Sequence, residues 1–298
     1  MLINTSGSGK TRLLLEGLCR WWGFYFVAQP DRNGTGSGDL WKVISGVDEA
    51  QDYKEALATK EADPKASAAI NHIRETVERR LAQLILARFL LLNLLIQEAQ
   101  KLPGGLQEKE HRRLWVILQA QPQILGRVYD VDIFSSLTQR LKHASFVDLK
   151  DRIFDQYTQL SILLTNDQNP TSNNPPPLFC VLDEAQITTT LHRGEFISDD
   201  YFTQRPVLRE IWLAWTQVLQ SYQMRLILSG TGIEFKVLAN TLDSPALKLE
   251  PYQVKFDIGA FEKRGCQAEY IKHYVPACWT EAKWIEFLNR AWGWFHGR

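Results

Sequence analysis

Residues 4–11 read NTSGSGKT, a glycine-and-serine turn that runs directly into a helical pattern with Leu14, Leu15 and Leu18 on one face. A turn of this composition joins a buried strand to the start of a helix, which commits the chain to an α/β fold from its first residues. Only Met1, Leu2 and Ile3 stand before it. The expectation is a strand-loop-helix unit that keeps its loop and lacks most of its strand.

The helix is expected over Thr11–Trp22, closed by Gly23, with a strand over Phe24–Ala28. The turn DRNGTGSGD, residues 31–39, leads to a helix that starts near Leu40 with Asp39 as its N-cap. From about Ser67 to Leu102, apolar residues recur at helical spacing. Ile70, Ile73, Val77, Leu81, Leu84 and Ile85 lead into a leucine-rich section that Pro103, Gly104 and Gly105 stop. Helical patterns follow at Leu106–Gln119, Ile133–Leu141 and Phe146–Leu164, with no strand pattern between Ala28 and Leu178. A large helical insertion is therefore expected there, followed by the uncharacteristically polar, proline-rich loop Asn166–Pro177.

Leu178–Leu182 is a continuous apolar run ending in Asp183 and Glu184, the pattern of a strand buried on both faces of a parallel sheet. Pro206 opens a helix through about Ser221, and Arg225–Leu228 is a second apolar strand ending in SGTG. Gln253–Ile258 alternates as a last strand, and helices over about Phe261–Val275 and Thr280–Trp292 close the chain. Strands alternating with helices predict an α/β fold, a doubly wound, mostly parallel sheet with its ligand at the C-terminal ends of the strands. The expected division is 1–58 and 171–259 for the two parts of the core, 59–170 for the insertion and loop, and 260–298 for the start of a helical lid.

Composition sets limits on function. Lys plus Arg and Asp plus Glu number 34 each among 298 residues, so no global basic field favours nucleic acid or an acidic membrane. Cys19, Cys180, Cys266 and Cys278 are scattered without a CxxC pair, which points to reduced thiols and an intracellular compartment, cytoplasmic or nuclear. Cys266, His273 and Cys278 match no zinc spacing. No basic segment followed by an apolar core opens the chain. Gln83, Arg88 and Asn93 interrupt the strongest apolar stretch, Leu81–Ile96, which reads as a buried or partner-facing helix. Neither HExxH nor GxSxG occurs, so zinc-hydrolase and serine-hydrolase chemistry lack support.

Phosphate groups need converging backbone N–H donors and a cation, and a glycine-rich turn at a helix N-terminus supplies both. Ser6, Gly7, Ser8 and Gly9 form the cradle, Lys10 reaches the β and γ phosphates, and Thr11 offers its hydroxyl to Mg²⁺. Asn4 stands where the usual GxxxxGK[ST] pattern has its first glycine, and asparagine tolerates left-handed backbone better than most residues. A flexible polar terminus is the alternative.

LFCVLDEAQ, residues 178–186, supplies the complementary chemistry. Asp183 leaves a buried strand where it can hold Mg²⁺ through water, and Glu184 is the candidate base for an attacking water. A solvated acidic pair at a strand end is the alternative. Ser229 or Thr231, after the next apolar strand, is a candidate to bond the γ-phosphate or the water, with a plain glycine turn as the alternative. Arg205 and Arg209 are read as surface arginines opening a helix, or else as charge for the transition state. Trp284, Phe287, Leu288 and Trp292 read as helix packing.

With these residues in view, the chain resembles the P-loop NTPases of the additional-strand catalytic-glutamate division, the AAA+ and STAND proteins, in which strands intervene between the phosphate loop and the acidic strand. More narrowly, NTSGSGKTRLLLEGL, GSGDL at 36–40, VLDEAQ, RPVLRE and LSGTG are similar to uncharacterised fungal NTPases related to crinkler-type proteins. The resemblance implies ATP or GTP binding by Gly7–Thr11, Mg²⁺ assistance from Asp183, hydrolysis through Glu184, and Ser229 or Thr231 in the sensor position. It also implies a chain clipped at both ends, missing most of the first strand and the rest of the lid. Three functions follow as expectations: a Mg²⁺-dependent nucleoside triphosphatase, a nucleotide-dependent switch whose helical insertion meets a protein partner or a second copy, and an inactive fragment.

Overall fold

The computed structural model describes residues 1–3, 9–30, 34–46, 64–126, 132–168, 177–191, 196–197, 204–219, 222, 224–233, 253, 263–272 and 280–295. Along the chain these form β1 (Leu2–Ile3), α1 (Lys10–Leu18), β2 (Gly23–Val27), α2 (Asp39–Ser45), α3 (Pro64–Lys101) and α4 (Glu108–Ala120). A 3₁₀ turn, Pro122–Gly126, precedes α5 (Ile133–Arg140), α6 (Phe146–Gln168) and β3 (Leu178–Asp183). Then come α7 (Gln186–Thr190), β4 (Phe196–Ile197), β5 (Gln204–Arg205), α8 (Val207–Leu219), β6 (Met224–Gly230), α9 (Arg264–Lys272) and α10 (Glu281–Phe295). The expected last strand, Gln253–Ile258, lies outside the described residues apart from Gln253.

The core is an α/β arrangement around a four-stranded sheet, wholly parallel, in the order β1-β6-β3-β2. β4 and β5 form a separate antiparallel pair. Successive strand residues face opposite sides, and each side of the sheet has its own apolar cluster. Tyr25, Val27 and Val181 pack with Leu14 and Leu18 of α1 and Val116 of α4. Phe24, Phe26, Cys180 and Leu182 face the other way, into a larger cluster with Leu40, Phe89, Leu92 and Trp215. Strands sandwiched in this manner need apolar residues at every position, which is why β2 and β3 read as unbroken hydrophobic runs.

Among the described residues between β2 and β3 there are helices and no strand. The leucine-rich part of α3 lies against the sheet, with Phe89 edge-on to Phe24 at 4.8 Å between ring centroids. His72–Lys101 is long and apolar enough to cross a membrane, but 67% of its most apolar window is buried inside the protein. Leu81, Leu84, Ile85, Phe89, Leu92 and Ile96 are buried in the core while Leu94 is exposed, so most of this apolar stretch is core helix.

The outer edge of β2 would leave unpaired backbone groups, and α4 closes it with side chains. Gln119 Oε1 accepts from Tyr25 N at 2.8 Å, and Trp115 Nε1 donates to Gly23 O at 2.7 Å. The GSGDL turn is likewise a structural joint. Asp132, the N-cap of α5, accepts from Ser37 Oγ at 2.7 Å and from Gly38 N at 3.1 Å, besides Phe134 N and Ser135 N of its own helix.

Asp39 is the first residue of α2, not its N-cap; Gly38 holds that position. Its carboxylate is instead gripped by Arg88 of α3, Nη1 to Oδ2 at 2.5 Å and Nη2 to Oδ1 at 3.2 Å. Both side chains are almost wholly buried, and the guanidinium lies between the rings of Phe26 and Phe134 at 4.5 and 3.9 Å. Arg209 also departs from expectation. It is buried, and its guanidinium stands 3.3 Å from Glu210, which Arg74 approaches at 3.2 Å. The first turn of α8 is turned toward the core, so a surface reading of RPVLRE fails there.

Thiol chemistry offers a simple check of these layers. Burial pushes the Cys180 thiol well above its ordinary range, and burial raises Cys19 more mildly, whereas Cys266 is exposed. The thiolate is the reactive form. Iodoacetamide should therefore modify Cys266 in the folded protein and reach Cys180 only after unfolding, as read by peptide mass spectrometry. Rapid native labelling of Cys180 would contradict the packing of β3.

Candidate functional site

All four strands of the sheet run the same way, so their C-terminal ends share one edge. The register aligns Ile3 with Gly230, Leu182 with Leu228, and Val27 with Asp183. The ends of β1, β6 and β3 therefore bring the start of α1, the SGTG turn and the acidic pair together. Ser6, Gly7 and Ser8 lie outside the described residues, as does Asn4.

Gly9 caps α1 with φ of 81°, a left-handed conformation that favours glycine. Lys10 follows as the first helical residue and is only 6% exposed. Burial lowers its pKa from the ordinary lysine value, while the nearby carboxylates of Glu184 and Asp183 act in the opposite direction. The first-turn N–H groups of a helix lack partners within it, so this end carries partial positive charge beside the ammonium.

Asp183 is the hub of the edge. Its Oδ2 accepts from Thr11 Oγ1 at 2.7 Å and from Tyr25 Oη at 3.1 Å. Its Oδ1 accepts from the backbone N of Glu184 at 3.0 Å, and its backbone O from Ala28 N at 3.0 Å. The carboxylate is buried yet supplied with donors from two neighbouring elements, which offsets the cost of desolvating it. Tyr25 had no assigned role in the sequence reading. Its signal was a polar tip in an otherwise apolar strand, and a buried tyrosine hydroxyl seeks a partner.

Glu184 has φ of 55°, and it alone among the described non-glycine residues has a positive φ. Backbone held there costs roughly 1–3 kcal/mol and persists where surrounding contacts fix it. Its carboxylate accepts from Gln186 Nε2. Gln186 Oε1 in turn accepts from the backbone N of Thr231 at 3.0 Å, and Ala185 N donates to Ser229 O at 2.8 Å. Ser229 is fully buried, and its Oγ has no hydrogen-bond partner among the described residues.

The structure thus brings Gly9, Lys10, Thr11, Asp183, Glu184, Ser229 and Thr231 to one edge. Gln186 enters the same group although the sequence reading gave it no part. Arg205 sits in β5 and Arg209 in the core pairing with Glu210. Among the described residues no cluster of three or more His, Cys, Asp or Glu stands ready for a metal. Beside the edge, Arg12 of α1 lies over the Tyr270 ring of α9, 4.4 Å from its centroid. Comparison with family models, curated proteins and solved structures finds no match to the chain.

Proposed function

We propose that the chain is a P-loop nucleoside triphosphatase of the additional-strand type, binding ATP or GTP with Mg²⁺ at this strand edge. The observation that carries the proposal is the 2.7 Å hydrogen bond from Thr11 to Asp183 across 172 positions of sequence. It joins the residue after the lysine to the carboxylate that ends the apolar strand. Two motifs, each open to a bland reading alone, meet where their combined chemistry requires. The sheet order adds support, because β6 stands between β1 and β3.

The residues fit the group they would hold. Mg²⁺ is usually bound through one or two carboxylates together with phosphate oxygens and water, so Thr11 and Asp183 form a sufficient protein share. The buried Ser229 hydroxyl has no hydrogen-bond partner among the described residues, and Gly9 and Lys10 supply a turn and a cation for phosphate. When bound, Mg²⁺ would neutralise phosphate charge. Lys10 would bind the β and γ phosphates, Asp183 would orient Thr11 and the metal's water, and Glu184 would take a proton from the attacking water. α9 and α10 serve as part of a lid, in keeping with the Arg12–Tyr270 contact. Scattered thiols suit an intracellular, reducing compartment.

Phosphate release tests the proposal. Purified wild type should hydrolyse MgATP or MgGTP, and Lys10→Ala should lower kcat/KM by about 100-fold or more, because a preorganised charge on the phosphates is lost. Equal release by both proteins would end it.

A second reading, the nucleotide-dependent switch, is favoured by α6. Val147, Phe154 and Ile162 are 68%, 56% and 57% exposed at spacings that keep them near one face. Stabilisation by MgATP without phosphate release would select this reading.

A further inference from the structure

We infer that Gln186 is a positioning residue that transmits the state of the turn after β6 to the Glu184 carboxylate. The inference rests on the nucleotide reading above and extends it to a residue outside the phosphate and metal contacts. Gln186 uses both ends of its side chain: Oε1 accepts from Thr231 N at 3.0 Å, and Nε2 donates to Glu184 Oε2. A backbone N–H can only donate, so it fixes the carbonyl end of the amide toward Thr231 and leaves the NH₂ end for the carboxylate. The side chain therefore cannot turn over without losing both bonds.

The surrounding packing allows little slack. A Cβ added to Gly230 would lie 2.6 Å from Gln186 Oε1, 3.0 Å from Gln186 N and 2.6 Å from Ile233 Cδ1. Ala185 N is bonded to Ser229 O at 2.8 Å, so the acidic motif and the turn are tied by backbone as well. The Ser229 hydroxyl, without a hydrogen-bond partner among the described residues, lies at the end of β6, two positions before Thr231. A terminal phosphoryl group drawing on that hydroxyl shifts the turn, the Thr231 N–H moves with it, and Gln186 carries the movement to Glu184. The left-handed backbone of Glu184 is held by its N–H on Asp183 Oδ1 and by Ala185 N on Ser229 O. The bond from Gln186 Nε2 is the one side-chain hydrogen bond to its carboxylate among those described, so the carboxylate's direction depends on this tether.

The test compares wild type with Gln186→Glu, which keeps an acceptor for Thr231 N but sets a second carboxylate against Glu184, and with Gly230→Ala, which displaces the Gln186 side chain from outside. Both should lower kcat by about 100-fold, the cost of a misplaced catalytic group, with KM for MgATP within about threefold of wild type. Hydrogen exchange gives a readout independent of turnover. In wild type, MgATP should slow exchange in peptides covering 184–186 and 229–232 together; in Gln186→Glu it should slow the second alone. Wild-type kcat in Gln186→Glu, or retained MgATP protection of 184–186, would overturn the inference while leaving the nucleotide site standing. No MgATP-dependent protection anywhere in wild type, the segment at Lys10 included, would remove the nucleotide reading and this inference with it.

Discussion

Glu184→Gln is expected to lower the rate of phosphate release by about 100-fold to 10,000-fold while nucleotide affinity stays near that of wild type. The substitution keeps side-chain length and hydrogen-bonding capacity but removes the group that accepts a proton. Lys10, Thr11 and Asp183 are untouched, and the Thr11–Asp183 bond does not pass through Glu184. Binding and turnover are therefore separable at this residue, unlike at Lys10, where the lost cation weakens both. Single-turnover release measured beside equilibrium affinity distinguishes the two effects. Wild-type turnover in Glu184→Gln would assign proton transfer elsewhere.

Arg88→Ala should destabilise the fold by about 3–5 kcal/mol, because it leaves the Asp39 carboxylate buried without its partner. The loss should be visible as a lower urea midpoint with an unchanged slope. The pair joins α3 to α2 beneath the sheet, with the guanidinium between Phe26 and Phe134, so packing is lost along with charge. Arg88→Met combined with Asp39→Leu should be less damaging than the sum of the single changes, since an apolar pair removes both buried charges at once. Additive losses in the double variant would mean that the two side chains stabilise separate contacts.

The strands were legible because a sheet covered on both faces demands unbroken apolar runs, and Phe24–Ala28 and Leu178–Leu182 have them. Lys10, Thr11, Asp183 and Glu184 were legible because their chemistry is tied to local patterns, a glycine turn at a helix start and an acidic pair at a strand end. What remained hidden depends on contacts distant in sequence. Nothing local to Met224–Gly230 says that it inserts between β1 and β3, and parallel neighbours are chosen by crossovers rather than by turns. Gln186 read as part of a motif without a task, because its partner Thr231 lies 45 positions onward. Asp39 looked like an N-cap by position and composition, and the more distant Arg88 drew it into the core instead. Arg209 was misread because the first turn of α8 packs into the core, where it stands beside Glu210, itself met by the distant Arg74 of α3.

Calorimetric titration of wild type and Lys10→Ala with MgATP and with MgGTP addresses the nucleotide site most directly. Wild type should bind at least one of the two at a single site, and Lys10→Ala should bind it about 100-fold more weakly or not detectably, with circular dichroism showing both proteins equally folded. No binding of either nucleotide by folded wild type, or equal affinity in the variant, would contradict a phosphate site built on Lys10, Thr11 and Asp183.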